Sequence, residues 1–181
     1  GVVYFNTGNA ATAYDVSTLL AQYGGNDQID GGLGDDIVLG GSGNDNLTGG
    51  LGNDVVLGDN GYIWRTSGLS ITRVETSDPS YGGDDIIDLA GFAGADVIFG
   101  GSGNDKIYGG TAVEGDVLIG DNGVLAGGTP VILPDSTSTD VNDIYTKDGQ
   151  YGGNDEIYGS LGVDTIIGGS GNDIIYGNAG A

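Results

Sequence analysis

The chain has 181 residues, of which 40 are glycine, and its 26 acidic side chains against 4 basic ones give a formal charge of −22. That balance repels nucleic acid and anionic membrane surfaces and attracts cations. Cysteine and histidine are absent, which excludes disulfides, thiolate metal sites, zinc hydrolase centres and Ser-His-Asp triads, and no stretch reads as a signal peptide or a membrane span.

In chain order, the first element is an irregular segment, residues 1–21, opening on the apolar "GVVYFNTG". A run of nonapeptides of the form G-G-x-G-x-D-x-U-x follows, from "YGGNDQI" at Tyr23 to "GDNG" at Gly58. A second irregular segment begins "GYIWRTSG" at Gly61, and the alternation in its "LSITRV" predicts an antiparallel hairpin. The next run starts with "YGGDDII" at Tyr81 and closes on "GDNG" at Gly120. A third segment begins "GVLAGG" at Gly123, and a third run starts with "YGGNDEI" at Tyr151. The start of the chain looks like the later segments with their "GDN" cut away, and the chain stops inside a run. The expected organisation is three long repeats: 1–60 (insertion 1–21, repeats 22–60), 61–122 (insertion 61–80, repeats 81–122) and an incomplete 123–181 (insertion 123–150, repeats 151–181).

Within the nonapeptide, place six is Asp27, Asp36, Asp45, Asp54, Asp85, Asp96, Asp105, Asp116, Asp155, Asp164 and Asp173. Place eight is Ile29, Val38, Leu47, Val56, Ile87, Ile98, Ile107, Leu118, Ile157, Ile166 and Ile175, aliphatic in all eleven copies. Glycines supply a tight turn, and the three places after it suit a very short strand. Two nonapeptides return the chain to its starting side in an 18-residue coil. Odd units then stack into one parallel sheet and even units into another, with the place-eight side chains between them. The expected fold class is all-β.

Stacking sets carboxylates at the inter-strand distance of about 4.8 Å, where a bare pair repels by roughly 1 kcal/mol in water and about 3.5 at a protein surface. A cation midway lies about 2.4 Å from each oxygen, which matches calcium (about 2.3–2.6 Å) and not magnesium (about 2.0–2.1 Å). Turn carbonyls supply the rest of a shell of about six to eight oxygens. The preference of aspartate for turns explains polar residues somewhere in each turn, but not aspartate at one place in eleven of eleven copies.

These nonapeptides resemble the repeats-in-toxin (RTX) family of calcium-binding β-rolls, over residues 22–61, 81–123 and 151–181. The resemblance implies a right-handed parallel β-roll interrupted by irregular or hairpin insertions. It also implies that several Ca2+ ions are each shared by one turn and the turn two units later. Carried over, Gly32, Gly34 and Asp36 face Gly49, Leu51 and Asp54, while Gly25 and Asp27 face Gly40, Ser42, Gly43 and Asp45. Gly83 and Asp85 meet Gly100, Ser102, Gly103 and Asp105; Phe92, Gly94 and Asp96 meet Gly109, Thr111 and Asp116. In the third run, Gly153 and Asp155 meet Gly168, Ser170 and Asp173, and Gly162 accompanies Asp164. "GDNG" departs from the pattern, with Asp59 and Asp121 at place two. Either it caps a column, the Gly58 and Asn60 carbonyls completing a shell beneath Asp45, or it is a simple turn.

Places seven and nine point outward. In odd units they are mostly wettable. In even units they read Ile37, Leu39, Val55, Leu57, Val97, Phe99, Val117, Ile119, Thr165 and Ile167, of which nine are apolar. This second sheet is expected to be covered, by Val2, Val3, Tyr4, Phe5, Ile63, Trp64, Leu69, Ile71, Val124, Leu125, Val131 and Ile132, or else by a neighbouring chain. Asp135, Asp140, Asp143 and Asp148 offer a solvated loop or an additional ion site. The leading functional expectation is a calcium-folded structural module, unfolded without the ion by acidic repulsion and glycine entropy. The resemblance implies type I secretion from a Gram-negative bacterium and an adhesin-like surface protein. The alternatives are the repeat unit of a self-assembling extracellular fibre or surface layer, and the auxiliary domain of a secreted hydrolase. No catalytic constellation, nucleic-acid partner or membrane insertion is expected.

Overall fold

A computed structural model describes residues 2–5 (main chain only), 16–65, 70–88, 93–111, 113–126 and 144–178. In chain order its strands are β1 (Val2–Phe5), β2 (Val16–Leu19), β3 (Gln28–Leu33), β4 (Ile37–Leu39), β5 (Asn46–Leu51), β6 (Val55–Leu57), β7 (Gly61–Arg65) and β8 (Ile71–Thr76). They continue with β9 (Ile86–Asp88), β10 (Val97–Gly101), β11 (Lys106–Tyr108), β12 (Val117–Asp121), β13 (Gly123–Ala126), β14 (Ile144–Thr146), β15 (Glu156–Tyr158), β16 (Thr165–Ile167) and β17 (Ile174–Tyr176). The one helical element among the described residues is a 3₁₀ turn, Gly149–Tyr151. The protein is all-β.

Each nonapeptide gives one short strand directly after its place-six aspartate. Odd units build the parallel sheet β3-β5-β9-β11-β15-β17, and even units build the parallel sheet β4-β6-β10-β12-β16. Within the first run the register step is 18 residues: Gln28 lies beside Asn46, and Ile37 beside Val55. The sheets do not stop at the insertions. β5 pairs with β9, β6 with β10, β11 with β15 and β12 with β16, all in parallel. At each "GDNG" the chain leaves, makes a hairpin, and rejoins the same stack.

Between the parallel sheets lies a dry seam of place-eight side chains, Val38, Leu47, Val56, Ile87, Ile98, Ile107, Leu118 and Ile157. At the end of the stack Ile175 is 46% exposed. The insertions form a third, antiparallel sheet, β1-β2-β7-β8-β13-β14. The apolar face of the even-unit sheet packs beneath it: Leu39, Val55, Leu57, Val97, Phe99, Val117 and Ile119 join Val16, Ile63, Val74 and Leu125 in one buried cluster. Phe99 and Ile119 are 0% exposed, so the cover is intramolecular. Ile71 packs against this cluster, and Trp64 lies half-buried in β7, with the Arg73 guanidinium 5.3 Å from its ring. The side chains of Val2, Val3, Tyr4 and Phe5, and all of Leu69, Val131 and Ile132, lie outside the described residues, as do Asp135, Asp140 and Asp143. The outer face of the odd-unit sheet is wet, with Tyr108, Tyr158 and Tyr176 stacked at 4.7 Å and Lys106 paired with Glu156 at 3.1 Å.

Candidate metal centre

Parallel stacking draws the place-six aspartates into two columns. In the odd column, the main-chain N–H of Asp27 donates to Asp45 Oδ1 (2.7 Å), Asp45 to Asp85 (2.7 Å), Asp85 to Asp105 (2.8 Å), Asp105 to Asp155 (2.8 Å) and Asp155 to Asp173 (3.0 Å). In the even column, Asp36 donates to Asp54 (2.8 Å), Asp54 to Asp96 (2.8 Å), Asp96 to Asp116 (2.9 Å) and Asp116 to Asp164 (3.0 Å). Carboxylate does not simply face carboxylate. A main-chain N–H stands between each pair and engages one oxygen of every acid from Asp45 and Asp54 onward.

The other oxygen is the informative one. Asp36, Asp45, Asp54, Asp85, Asp105, Asp116 and Asp155 each bury Oδ2 without a hydrogen-bond partner. An orphaned buried carboxylate oxygen is costly. Burial pushes the carboxyl of Asp85 up to about 8, those of Asp96 and Asp155 to about 7 and that of Asp116 to about 6, and Asp105 stands well above the ordinary range. Neighbouring carboxylates add to the rise, and the donated N–H opposes it.

The turns leave no room for a side chain beside the column carboxylates. A Cβ on Gly40 would sit 2.4 Å from Asp45 Oδ2, on Gly49 2.4 Å from Asp54 Oδ2, on Gly100 2.4 Å from Asp105 Oδ2, and on Gly168 2.3 Å from Asp173 Oδ2. Gly109 stands in the same relation to Asp116, at 2.9 Å. No three acidic side chains converge among the described residues, so a cation here draws much of its shell from turn carbonyls. A hard divalent ion that prefers oxygen ligands fits this donor set.

Other expected ligands are placed as follows. Gly34 N–H donates to the Leu51 carbonyl (2.7 Å), and Gly32 lies beside Gly50. Gly43 abuts Gly25, Gly103 abuts Gly83, Gly153 abuts Gly103, and Gly94 meets Gly52, always through the neighbour's carbonyl. Gly162 abuts the Glu114 carbonyl in the same way. The Ser42 hydroxyl donates to the Ala21 carbonyl and lies 3.0 Å from that of Tyr81, the Ser102 hydroxyl donates to that of Pro79 (2.8 Å), and the Ser170 N–H to Asp121. Thr111 is exposed, and Phe92 lies outside the described residues. The Gly58 carbonyl accepts the Gly41 N–H at 3.1 Å, next to the Asp45 layer, whereas that of Asn60 accepts the Ser77 N–H (2.8 Å) at the base of a hairpin. Asp164 differs from the rest of its column: Ser160 fills its oxygens, hydroxyl to Oδ1 (2.9 Å) and N–H to Oδ2 (2.8 Å).

Two features escape the sequence reading. A second ladder runs outside the odd column at place five, where Asn44 N–H donates to Asn26 Oδ1, Asn104 to Asp84, Asn154 to Asn104 and Asn172 to Asn154. Its signal was the recurring "ND" of the turns. The other is the burial of Asp59 and Asp121, 2% and 1% exposed, which "GDNG" advertised only as an exception to the repeat.

Comparison with the curated proteins and with solved structures found no match. The family model of the RTX calcium-binding nonapeptide repeat matches in four copies, over residues 31–62, 90–112 and 151–181. With its aspartates in columns and its glycines cradling their free oxygens, this chain is a carrier of RTX calcium-binding nonapeptide repeats.

Proposed function

We propose that the chain is a calcium-folded structural module of a large secreted or cell-surface bacterial protein, adhesin-like and without catalysis of its own. The parallel sheets are read as a right-handed β-roll with 18-residue coils, carrying hairpin insertions and built from long repeats that begin near Gly1, Gly61 and Gly123. The ligands are the place-six aspartates other than Asp164, with the glycine, serine and other turn carbonyls beside them. One observation carries this reading: seven stacked aspartates each bury an oxygen that no group among the described residues satisfies. Calcium supplies the missing charge, so binding energy becomes folding energy. A common turn supports the long repeat: Leu20, Asp78 and Asp148 adopt positive φ, and each accepts at its carbonyl the N–H of the tyrosine that opens the following run. Circular dichroism in chelator and at millimolar calcium, with the bound ions counted, tests the proposal. The expected result is a largely unstructured chain that gains its β signal with several ions. Full β content in chelator refutes it.

A further inference from the structure

The insertions leave an exact-length signature in the stacking register. The Asp-to-Asp step is 18 residues in the first and third runs and 20 in the second, whose Asp85–Asp96 and Asp105–Asp116 repeats each carry two additional residues. Across the insertions it becomes 40 from Asp45 to Asp85 and 48 from Asp116 to Asp164, or 42 from Asp54 to Asp96 and 50 from Asp105 to Asp155 where the step also spans one of those two-residue additions. The excesses of 40 and 48 over 18, which are 22 and 30, are the numbers of residues lying between Asp59 and Gly82 and between Asp121 and Gly152. Without them, Gly58-Asp59 would run into Gly82-Gly83-Asp84-Asp85, and Gly120-Asp121 into Gly152-Gly153-Asn154-Asp155, each a six-residue turn of the repeat. Geometry agrees. A Cβ on Gly58 would lie 2.2 Å from Asp85 Oδ2, and on Gly120 2.1 Å from Asp155 Oδ2, the relation Gly40 has to Asp45 within one unbroken turn. "GDN" and "YGG" are two halves of one turn.

A broken turn must be held shut where the hairpin departs. Asp121 Oδ1 accepts the Gly153 N–H (2.9 Å), from the far side of the break, and Oδ2 accepts the Ser170 N–H of the next coil. Asp59 Oδ2 accepts the Ser102 N–H at 2.6 Å, and the Gly83 N–H is drawn to the same carboxylate. Glycines make room for this. A Cβ on Gly82 or Gly152 would stand 2.2 Å from Oδ2 of Asp59 or Asp121, and on Gly101 or Gly169 2.4 and 2.2 Å from those same atoms.

We propose that Asp59 and Asp121 are splice residues: each closes, by accepting main-chain hydrogen bonds, the one turn from which a covering hairpin leaves; Asp121, with both oxygens taken by main-chain N–H groups, is not an ion ligand, whereas Asp59 keeps a buried Oδ1 without a partner among the described residues. The inference rests on the calcium reading of the columns. It explains why hairpins of two lengths leave both columns in register, since the carboxylate restores the turn whatever chain lies between.

Two measurements test it. In the calcium-saturated wild-type chain, NMR scalar couplings across hydrogen bonds are expected from the Gly153 and Ser170 amide nitrogens to the Asp121 carboxyl carbon. In Asp121→Asn, an amide replaces one acceptor, so Gly153 and Ser170 should exchange their protons about tenfold faster or more, while the number of bound ions stays that of the wild type. Absent couplings overturn the proposal, as does a variant that binds one ion fewer with unchanged exchange. If the variant fails to fold, the wild-type couplings decide. Failure of the calcium reading shows separately, as a wild-type chain that binds no ions.

Discussion

Removing calcium at neutral pH should unfold this chain, and acid should return part of the structure. The magnitude follows from the columns. Asp85 is 1% exposed, and burial raises its carboxyl from the ordinary 3.8 to about 8. Each pH unit above the unfolded value costs about 1.36 kcal/mol until the folded value is reached, so holding Asp85 in place at pH 7 costs roughly 4 kcal/mol. Asp59, raised to about 9, and Asp96 and Asp155, at about 7, cost about the same, and Asp116, at about 6, roughly 3. Together these acids disfavour the metal-free fold by an amount on the order of 20 kcal/mol, more than the roughly 5–15 kcal/mol by which a domain is usually stable. At pH 4.5 the cost falls to about 1 kcal/mol for each acid.

The sign is fixed by protons. Because the folded values are raised, the folded state binds more protons than the unfolded state between about pH 4 and pH 9. Metal-free stability is therefore full at and below about pH 4, falls as pH rises from there, and is lost once pH passes the folded values of about 6 to 9. Calcium reverses the dependence, since its ligands must be deprotonated, and the calcium midpoint of folding should rise as pH falls. Far-UV circular dichroism of the chelated chain from pH 4.5 to 8 reads the effect, with sedimentation velocity to separate folding from association. A chelated chain whose β signal is complete at pH 7.5, or flat across that range, would refute the reasoning.

Three substitutions separate the ion columns from the core. Gly49→Ala would push a methyl to 2.4 Å from Asp54 Oδ2 and 2.7 Å from its Cγ, whereas nothing lies within 4 Å of a Cβ on Gly25. Calcium titration should show a lost ion or a raised midpoint for Gly49→Ala and wild-type behaviour for Gly25→Ala. Phe99→Ala empties a fully buried site between the even-unit sheet and its cover, at a cost of about 3–5 kcal/mol. It should lower the thermal midpoint at saturating calcium and leave the ion count unchanged.

The columns and the seam were legible because both are periodic. Asp45 and Leu47 recur at fixed places, and each needs only a neighbour one coil away. Burial of the even-unit sheet was legible from Val97, Phe99, Val117 and Ile119, whose alternation left no wettable face. The continuity of the stack was not. The pattern stops at Asp59 and resumes at Gly82, and the pairing of Gly58 with Asp85 exists only in space. Nor did spacing reveal that the aspartates from Asp45 and Asp54 onward each give one oxygen to a main-chain N–H, because distances between carboxylates take no account of the backbone's own donors. Asp164 shows the same limit in reverse: it occupies the right place in the repeat, yet Ser160 satisfies both of its oxygens.

The ratio of insertions to nonapeptides follows from strand spacing. Each hairpin adds two strands to the antiparallel cover: β1 and β2, β7 and β8, β13 and β14. Over the same stretch the first two runs add two strands to each parallel sheet: β3 and β5 with β4 and β6, then β9 and β11 with β10 and β12. Neighbouring strands lie about 4.8 Å apart in either kind of sheet, so two strands of cover advance as far as two coils. One hairpin for every four nonapeptides therefore keeps the cover in step with the apolar sheet beneath it. A shorter interval would crowd the cover, and a longer one would bare residues such as Leu57 and Phe99. The splice at Asp59 and Asp121 makes the ratio possible, because it lets a hairpin leave a turn without displacing the carboxylate below it or above it.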